Sequence, residues 1–134
     1  MIQVTNMTIQ SNEIISALEL WGESFTRSSV GEISALYSDK AILLGTLSPI
    51  YRDTPELVYE YFESAFSSTT ERKVHYQDFN VEVSGDMASA SGLYHFEWVS
   101  KQRLVVIAAR FTFVFKKVDD ELKIIHHHSS KLPV

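Results

Sequence analysis

Three consecutive histidines stand near the end of the chain, in Ile124-Ile125-His126-His127-His128-Ser129-Ser130, and they continue a β-rich stretch. Side chains alternate between faces along a strand, so His126 and His128 share one face and His127 takes the other. Two imidazoles on one strand face can chelate zinc or another borderline metal if a neighbouring strand adds a third ligand, such as His95, Asp78 or Glu82. The competing reading has one histidine facing a pocket, hydrogen-bonded to a carboxylate or hydroxyl, with the others at a subunit interface. That second reading is preferred, and neither a metal nor a cofactor is assigned.

Arg110 is the second unusual residue, because it interrupts Leu104 to Phe115, a run apolar on both faces. Removing a guanidinium from water is costly unless an opposite charge compensates it. Arg110 is therefore expected to pair with an acid such as Glu97, to reach a rim, or to hold an anionic ligand. Convergence with His128 favours the ligand, through charge-assisted hydrogen bonds. Among the aromatic residues, Trp21, Tyr61 and Tyr94 are candidates to add an apolar wall with hydroxyl donors. Which of them faces inward depends on strand register, since a one-residue slip reverses every side chain. The candidate ligand group is Arg110, His128, His126, Tyr94, Tyr61 and Trp21, with His128 the candidate catalytic acid or base.

The elements that must position these groups follow from periodicity. Ile14, Leu18, Trp21 and Phe25 are spaced by four, three and four, which puts them on one stripe of a helix over roughly 12–27. Ser29 and Glu32 have the spacing of a capping box, predicting a short second helix through Tyr37. Ala41 to Leu44 reads as a strand, followed by a loop and a second short strand punctuated by Gly45, Pro49 and Asp53. Thr54 and Pro55 open a third helix whose buried face is Leu57, Val58, Tyr61, Phe62, Ala65 and Phe66. From Lys73 the period becomes two, and breaks at Gly85-Asp86, Ser100 to Arg103 and Asp119-Asp120 divide four long antiparallel strands. The expectation is an α+β fold, with about three N-terminal helices packed on one face of a strongly curved, mainly antiparallel sheet that encloses a cone-shaped cavity. Residues 1–11 read as an N-terminal extension and 12–134 as a single domain.

Composition excludes several functions. With 134 residues, 45% of them hydrophobic, the chain can bury a real core, and its formal charge of −5 with no basic cluster argues against nucleic acid. The absence of cysteine removes thiolate metal sites and thiol nucleophiles. No secretory leader is read at the start and no apolar run is long enough to span a bilayer, so a cytoplasmic location and no membrane partner are expected. Glycine spacing fits neither a dinucleotide nor a P-loop fingerprint, and serine-hydrolase and zinc-protease signatures are missing.

On Leu36-Tyr37-Ser38-Asp39-Lys40-Ala41, Ala109-Arg110-Phe111-Thr112-Phe113-Val114-Phe115 and His126-His127-His128-Ser129-Ser130 followed by Pro133, the chain resembles the nuclear transport factor 2-like, or ketosteroid-isomerase-like, superfamily. Within it, the arginine strand and the histidine-serine end look like bacterial stand-alone relatives of the calcium/calmodulin-dependent protein kinase II association domain. The resemblance implies a cone with a pocket and self-association through the outer sheet face, as a homodimer or a larger ring. It implies no kinase activity, and no basic amphipathic helix is present to bind calmodulin. Arg110 matches an arginine of the bacterial branch, whereas Phe113 stands where the kinase hub has an arginine. Gly45 falls at the position of the isomerase family's catalytic aspartate, so chemistry of that type is not expected.

Three functions are carried forward. The first is a small-molecule-binding, self-associating domain whose pocket suits a small anionic or carbonyl-containing organic ligand. The alternative is a cofactor-free isomerase, lyase or cyclase acting on a small carbonyl compound, with His128 as base and Arg110 holding an enolate or carboxylate. The third is a purely structural oligomerisation module.

Overall fold

The computed structural model describes residues 8–27 and 29–133. Helix α1 (Ser11–Arg27) buries Ile14, Leu18, Trp21 and Phe25, the stripe read from the sequence. Ser29 caps α2 (Val30–Ser34) by accepting from the Glu32 backbone N–H, and its own hydroxyl meets the Glu32 carboxylate. That helix is shorter than expected, because Tyr37 opens strand β1 (Tyr37–Leu44) instead of closing the helix. The expected second short strand shrinks to an isolated bridge between Leu43 and Arg52. Thr54 and Pro55 start α3 (Pro55–Ser67) as the cap rules require.

Four long strands follow, β2 (Thr70–Ser84), β3 (Met87–Ser100), β4 (Arg103–Val118) and β5 (Glu121–Lys131). The tight turns between them include Lys101-Gln102 and Asp119-Asp120, where both central residues take positive φ, the hairpin geometry that matches strand twist. The sheet order is β1-β5-β4-β3-β2, antiparallel except where β1 runs parallel to β5. Of the expected extension, Met1 to Met7 lie outside the described residues, whereas Ile9 is buried and its N–H is donated to the Gly85 carbonyl.

One face of the sheet carries the core. Ala109, Phe111, Phe113 and Phe115 of β4 point inward, and the three phenylalanines join Tyr94 and Phe96 of β3 and Trp21 of α1 in a continuous set of stacked, tilted and edge-on aromatic contacts. Curvature comes from irregularities in the ladders. β3 and β4 pair without a break, but β2 slips against β3 twice, between Thr70 and Lys73 and between Tyr76 and Phe79, and β5 slips against β4 between Phe115 and Val114. Each slip opposes extra residues on one strand to fewer on its partner, which bends the strand and increases twist.

Gly92 shows what the bend requires. A Cβ there would come within 2.6 Å of the Phe79 Cα and would also press on the Asp78 carbonyl, backbone that cannot move aside. Gly92→Ala is expected to lower the unfolding free energy by about 2 kcal/mol or more, read from urea midpoints. A loss below about 0.5 kcal/mol would mean that the bend tolerates a side chain.

Candidate functional site

Between α1, α3 and the concave face of the sheet lies a cavity of about 370 Å³. Its apolar wall is Trp21, Phe25, Phe62, Phe96 and Trp98, and its polar groups come from β5, β3, β2, α3 and the stretch from Gly45 to Arg52. The floor is a buried hydrogen-bond chain. The Trp21 Nε1–H donates to the Tyr37 hydroxyl at 3.0 Å, and that hydroxyl lies 2.8 Å from His127 Nδ1. His127 Nε2 lies 3.2 Å from the Tyr94 hydroxyl, which donates to Ser129 Oγ at 2.5 Å, and Ser129 meets Thr46 Oγ1.

The directions in this chain follow from the Tyr94 hydroxyl, which gives its one proton to Ser129 and so can only accept from His127. The proton of the neutral ring is then on Nε2, facing Tyr94, and Nδ1 accepts from the Tyr37 hydroxyl, whose oxygen accepts in turn from the Trp21 N–H. Burial, reinforced by His126 and His128, lowers the His127 pKa to about 3. Burial likewise raises both phenols, Tyr37 and Tyr94, well above their usual range. The ring is stacked on Phe113 with centroids 3.9 Å apart and meets Trp21 edge-on, a setting for a neutral imidazole.

Two arginines stand in the same cavity. Arg52 is 5% exposed; one guanidinium nitrogen donates to the Leu57 carbonyl at 2.7 Å and approaches Glu60 at 3.4 Å, while its Nε is buried without a hydrogen-bond partner. Arg72 donates to the Phe25 and Thr69 carbonyls and lies over the Phe66 ring at 3.9 Å. Burial lowers its pKa from the ordinary value. Tyr61 lies beside Arg52, with the guanidinium carbon 5.3 Å from its ring, and its hydroxyl meets Thr46. The space next to Gly45 is occupied by that tyrosine, whose hydroxyl oxygen would sit 2.8 Å from a Cβ at position 45. The residue matched to the isomerase aspartate is thus a glycine because an aromatic ring fills the place of its side chain. Among the described residues lining the cavity there is no carboxylate.

The candidates read from the sequence divide by sheet face. Trp21, Tyr61 and Tyr94 line the cavity. Arg110, His126 and His128 do not; they are corrected to the outer face, opposite the helices. For the two histidines the cause is the slip at β5. Ile124 is buried and pairs with Phe115, but His126 pairs with Val114, leaving Ile125 as the extra residue. Inward positions therefore pass from Ile124 to His127 and Ser129. Arg110 pairs with Leu93 and Ser130, diagonal to His128, and is exposed between buried Ala109 and Phe111. The Arg110–Glu97 ion pair is not formed, since Glu97 meets His75 at 2.8 Å. Burial lowers the His126 pKa, and the neighbouring His128 adds to this.

Arg52, Arg72, Thr46, Tyr37 and Ser129 escaped the sequence reading. Arg72 sits in the first slip of β2, beside Glu71 with its positive φ, and no periodic pattern marks a bulge residue. Arg52 follows a loop and holds its place through backbone bonds to Leu43, a pairing set by tertiary contact.

The buried neutral histidine makes stability depend on pH. The unfolded chain takes up this proton near 6.5 and the folded chain only near 3, so lowering the pH through that window favours unfolding. The slope from this one group approaches about 1.4 kcal/mol per pH unit. In urea titrations between pH 7 and 5, His127→Gln is expected to be less stable at pH 7 but to show a flatter profile. An unchanged slope would show that His127 is not held neutral.

The same architecture is found in proteins of several descriptions. A Xanthomonas campestris protein assigned as a calcium/calmodulin-dependent protein kinase II association domain is 26% identical, with a TM-score of 0.86 over 98% of this chain and 94% of its own. A Streptomyces avermitilis protein assigned as a dehydratase of the nuclear transport factor 2-like family is 18% identical, with a TM-score of 0.84 over 92% of this chain and 96% of its own. An Erwinia carotovora ketosteroid isomerase-like protein is 17% identical, with a TM-score of 0.78 over 92% of this chain and 97% of its own. The last two share the fold. No curated protein matches the sequence. The SnoaL-like domain family model matches residues 14–134, from the first buried residue of α1 past the histidine strand, and the chain belongs to that family.

Proposed function

We propose that the chain is a self-associating, small-molecule-binding domain whose cavity takes a small, partly apolar organic molecule carrying a carboxylate or carbonyl oxygen. The observation that carries this reading is a cavity lined by two arginines, Arg52 and Arg72, and by no carboxylate among the described residues. A guanidinium on a partly apolar wall favours an anionic ligand oxygen, which meets it with a charge-assisted bond. Tyr61 and Thr46 add hydroxyls nearby, and the aromatic wall suits the apolar part of the molecule.

The catalytic alternative loses its main support. His128, the base it needed, lies on the outer face, and His127 has both ring nitrogens engaged and accepts a proton only near pH 3. A base so weak removes a proton from carbon inefficiently at neutral pH. An open volume of about 370 Å³ among polar groups favours a ligand over a purely structural role.

Self-association rests on the outer face, where Leu104 and Val106 of β4 are 67% and 56% exposed while the helices cover the other side. Exposed apolar side chains on a sheet face suit a second copy of the same surface.

Native mass spectrometry reads subunit number and bound ligand together. The expected spectrum after incubation with benzoate, phenylacetate and short aliphatic carboxylates is a dimer carrying at least one of these acids. Arg52→Met should weaken that adduct by about 10- to 100-fold and Arg72→Gln by less, with the dimer kept, whereas Arg110→Met should leave both unchanged. A monomer would overturn the self-association reading, and absence of any adduct would overturn the anion site.

A further inference from the structure

On the outer face, away from the cavity, three side chains with metal-ligating atoms converge. His75 of β2 and His95 of β3 are directly opposed in the antiparallel ladder, and Glu97 lies two residues along β3 on the same face. The two imidazole centroids are 4.7 Å apart at 31°, and His75 Nε2 lies 2.8 Å from Glu97 Oε2. One ligand atom from each of the three lies within 4.8 Å of the others.

We propose that His75, His95 and Glu97 form a binding site for a divalent cation of the zinc class. Tetrahedral zinc with nitrogen and oxygen ligands needs donor atoms about 3.4 Å apart. Bringing donor atoms that now lie within 4.8 Å of one another to that spacing calls for side-chain rotation. The donor set suits this class of cation: imidazole favours zinc, copper and nickel, and one carboxylate supplies compensating charge, whereas calcium and magnesium call for an all-oxygen shell. Three protein ligands leave a fourth position to water.

Two further observations point the same way. A hydrogen bond accounts for His75 and Glu97 but leaves out His95, whose imidazole makes no hydrogen bond to another described residue. On the far side of β3, His95 and Glu97 face Ala108 and Val106, so the cation directly opposite the site in the ladders is Lys73 of β2, across from Glu97. β3, which carries two of the three ligands, is held between β2 and β4, and His75 is set opposite His95 by the pairing of the edge strand β2. His126 and His128, the pair singled out in the sequence, share a face but are not among the described residues that gather three such groups. The site departs from the sequence expectation of no metal, and it stands apart from the cavity, so it does not depend on the ligand proposed there.

The test is calorimetric titration of the untagged protein with Zn²⁺, and with Co²⁺ followed by visible absorption. The expected result is one saturable equivalent per chain and the absorption of a tetrahedral Co²⁺ complex. His75→Ala and His95→Ala should each weaken binding by at least about tenfold, and His128→Ala should leave it unchanged. All three positions are on the outer face, and circular dichroism verifies the fold of each variant. No saturable uptake, uptake indifferent to His75 and His95, or uptake lost in His128→Ala would each overturn the proposal, the last by moving the metal to β5.

Discussion

A histidine buried at the centre of an aromatic core is tolerated only if both ring nitrogens are satisfied and the ring stays neutral. His127 meets that condition through Tyr37 on one side and Tyr94 on the other, and much of the molecule is arranged to supply those two hydroxyls. Tyr37 is the first residue of β1, Tyr94 lies mid-way along β3, and Trp21 reaches down from α1 to orient Tyr37. One chain of polar contacts thus joins α1 to three strands of the sheet, β1, β5 and β3. Because the Tyr94 hydroxyl gives its one proton to Ser129 and the Trp21 indole can only donate, the protons between them have defined directions.

The bends in the sheet are what bring polar groups to the concave side. A regular ladder would keep inward positions in strict alternation, and in β4 it does, presenting Phe111, Phe113 and Phe115. Slips break that alternation where the cavity needs something other than hydrocarbon. The one in β5 turns His127 and Ser129 inward, and the first one in β2 carries Arg72. The second slip in β2, opposite Gly92, lets the sheet curl around α1. Curvature and cavity chemistry therefore share a cause, and Gly45 makes a comparable concession by leaving its side-chain space to Tyr61.

This explains which parts of the protein were legible in the sequence. The stripe of α1, the caps at Ser29 and Thr54, and the hairpin breaks are local signals, and each element they announce is present. Tyr37 was read as helix because the alternation of β1 is short and its partner, β5, lies far along the chain. The alternation of the three histidines was legible, but the face was not. Counting in twos from buried Ile124 gives His126 and His128, and only the pairing with β4 shows that Ile125 is skipped. Arg110 was conspicuous because its neighbours are apolar, yet an outward position on a strand with a buried inner face explains it without a ligand. Arg52 has no comparable local signature, since its burial depends on α3 folding over the loop that carries it.

The central claim is that His127 is a neutral imidazole with its proton on Nε2, held between two phenols. Nitrogen-15 NMR of the imidazole ring across pH 4.5 to 8 reads both the protonation state and the tautomer. The account predicts a pyrrole-type shift at Nε2, a pyridine-type shift at Nδ1, and no titration in that range. A midpoint near the usual histidine value, or the proton found on Nδ1, would contradict it.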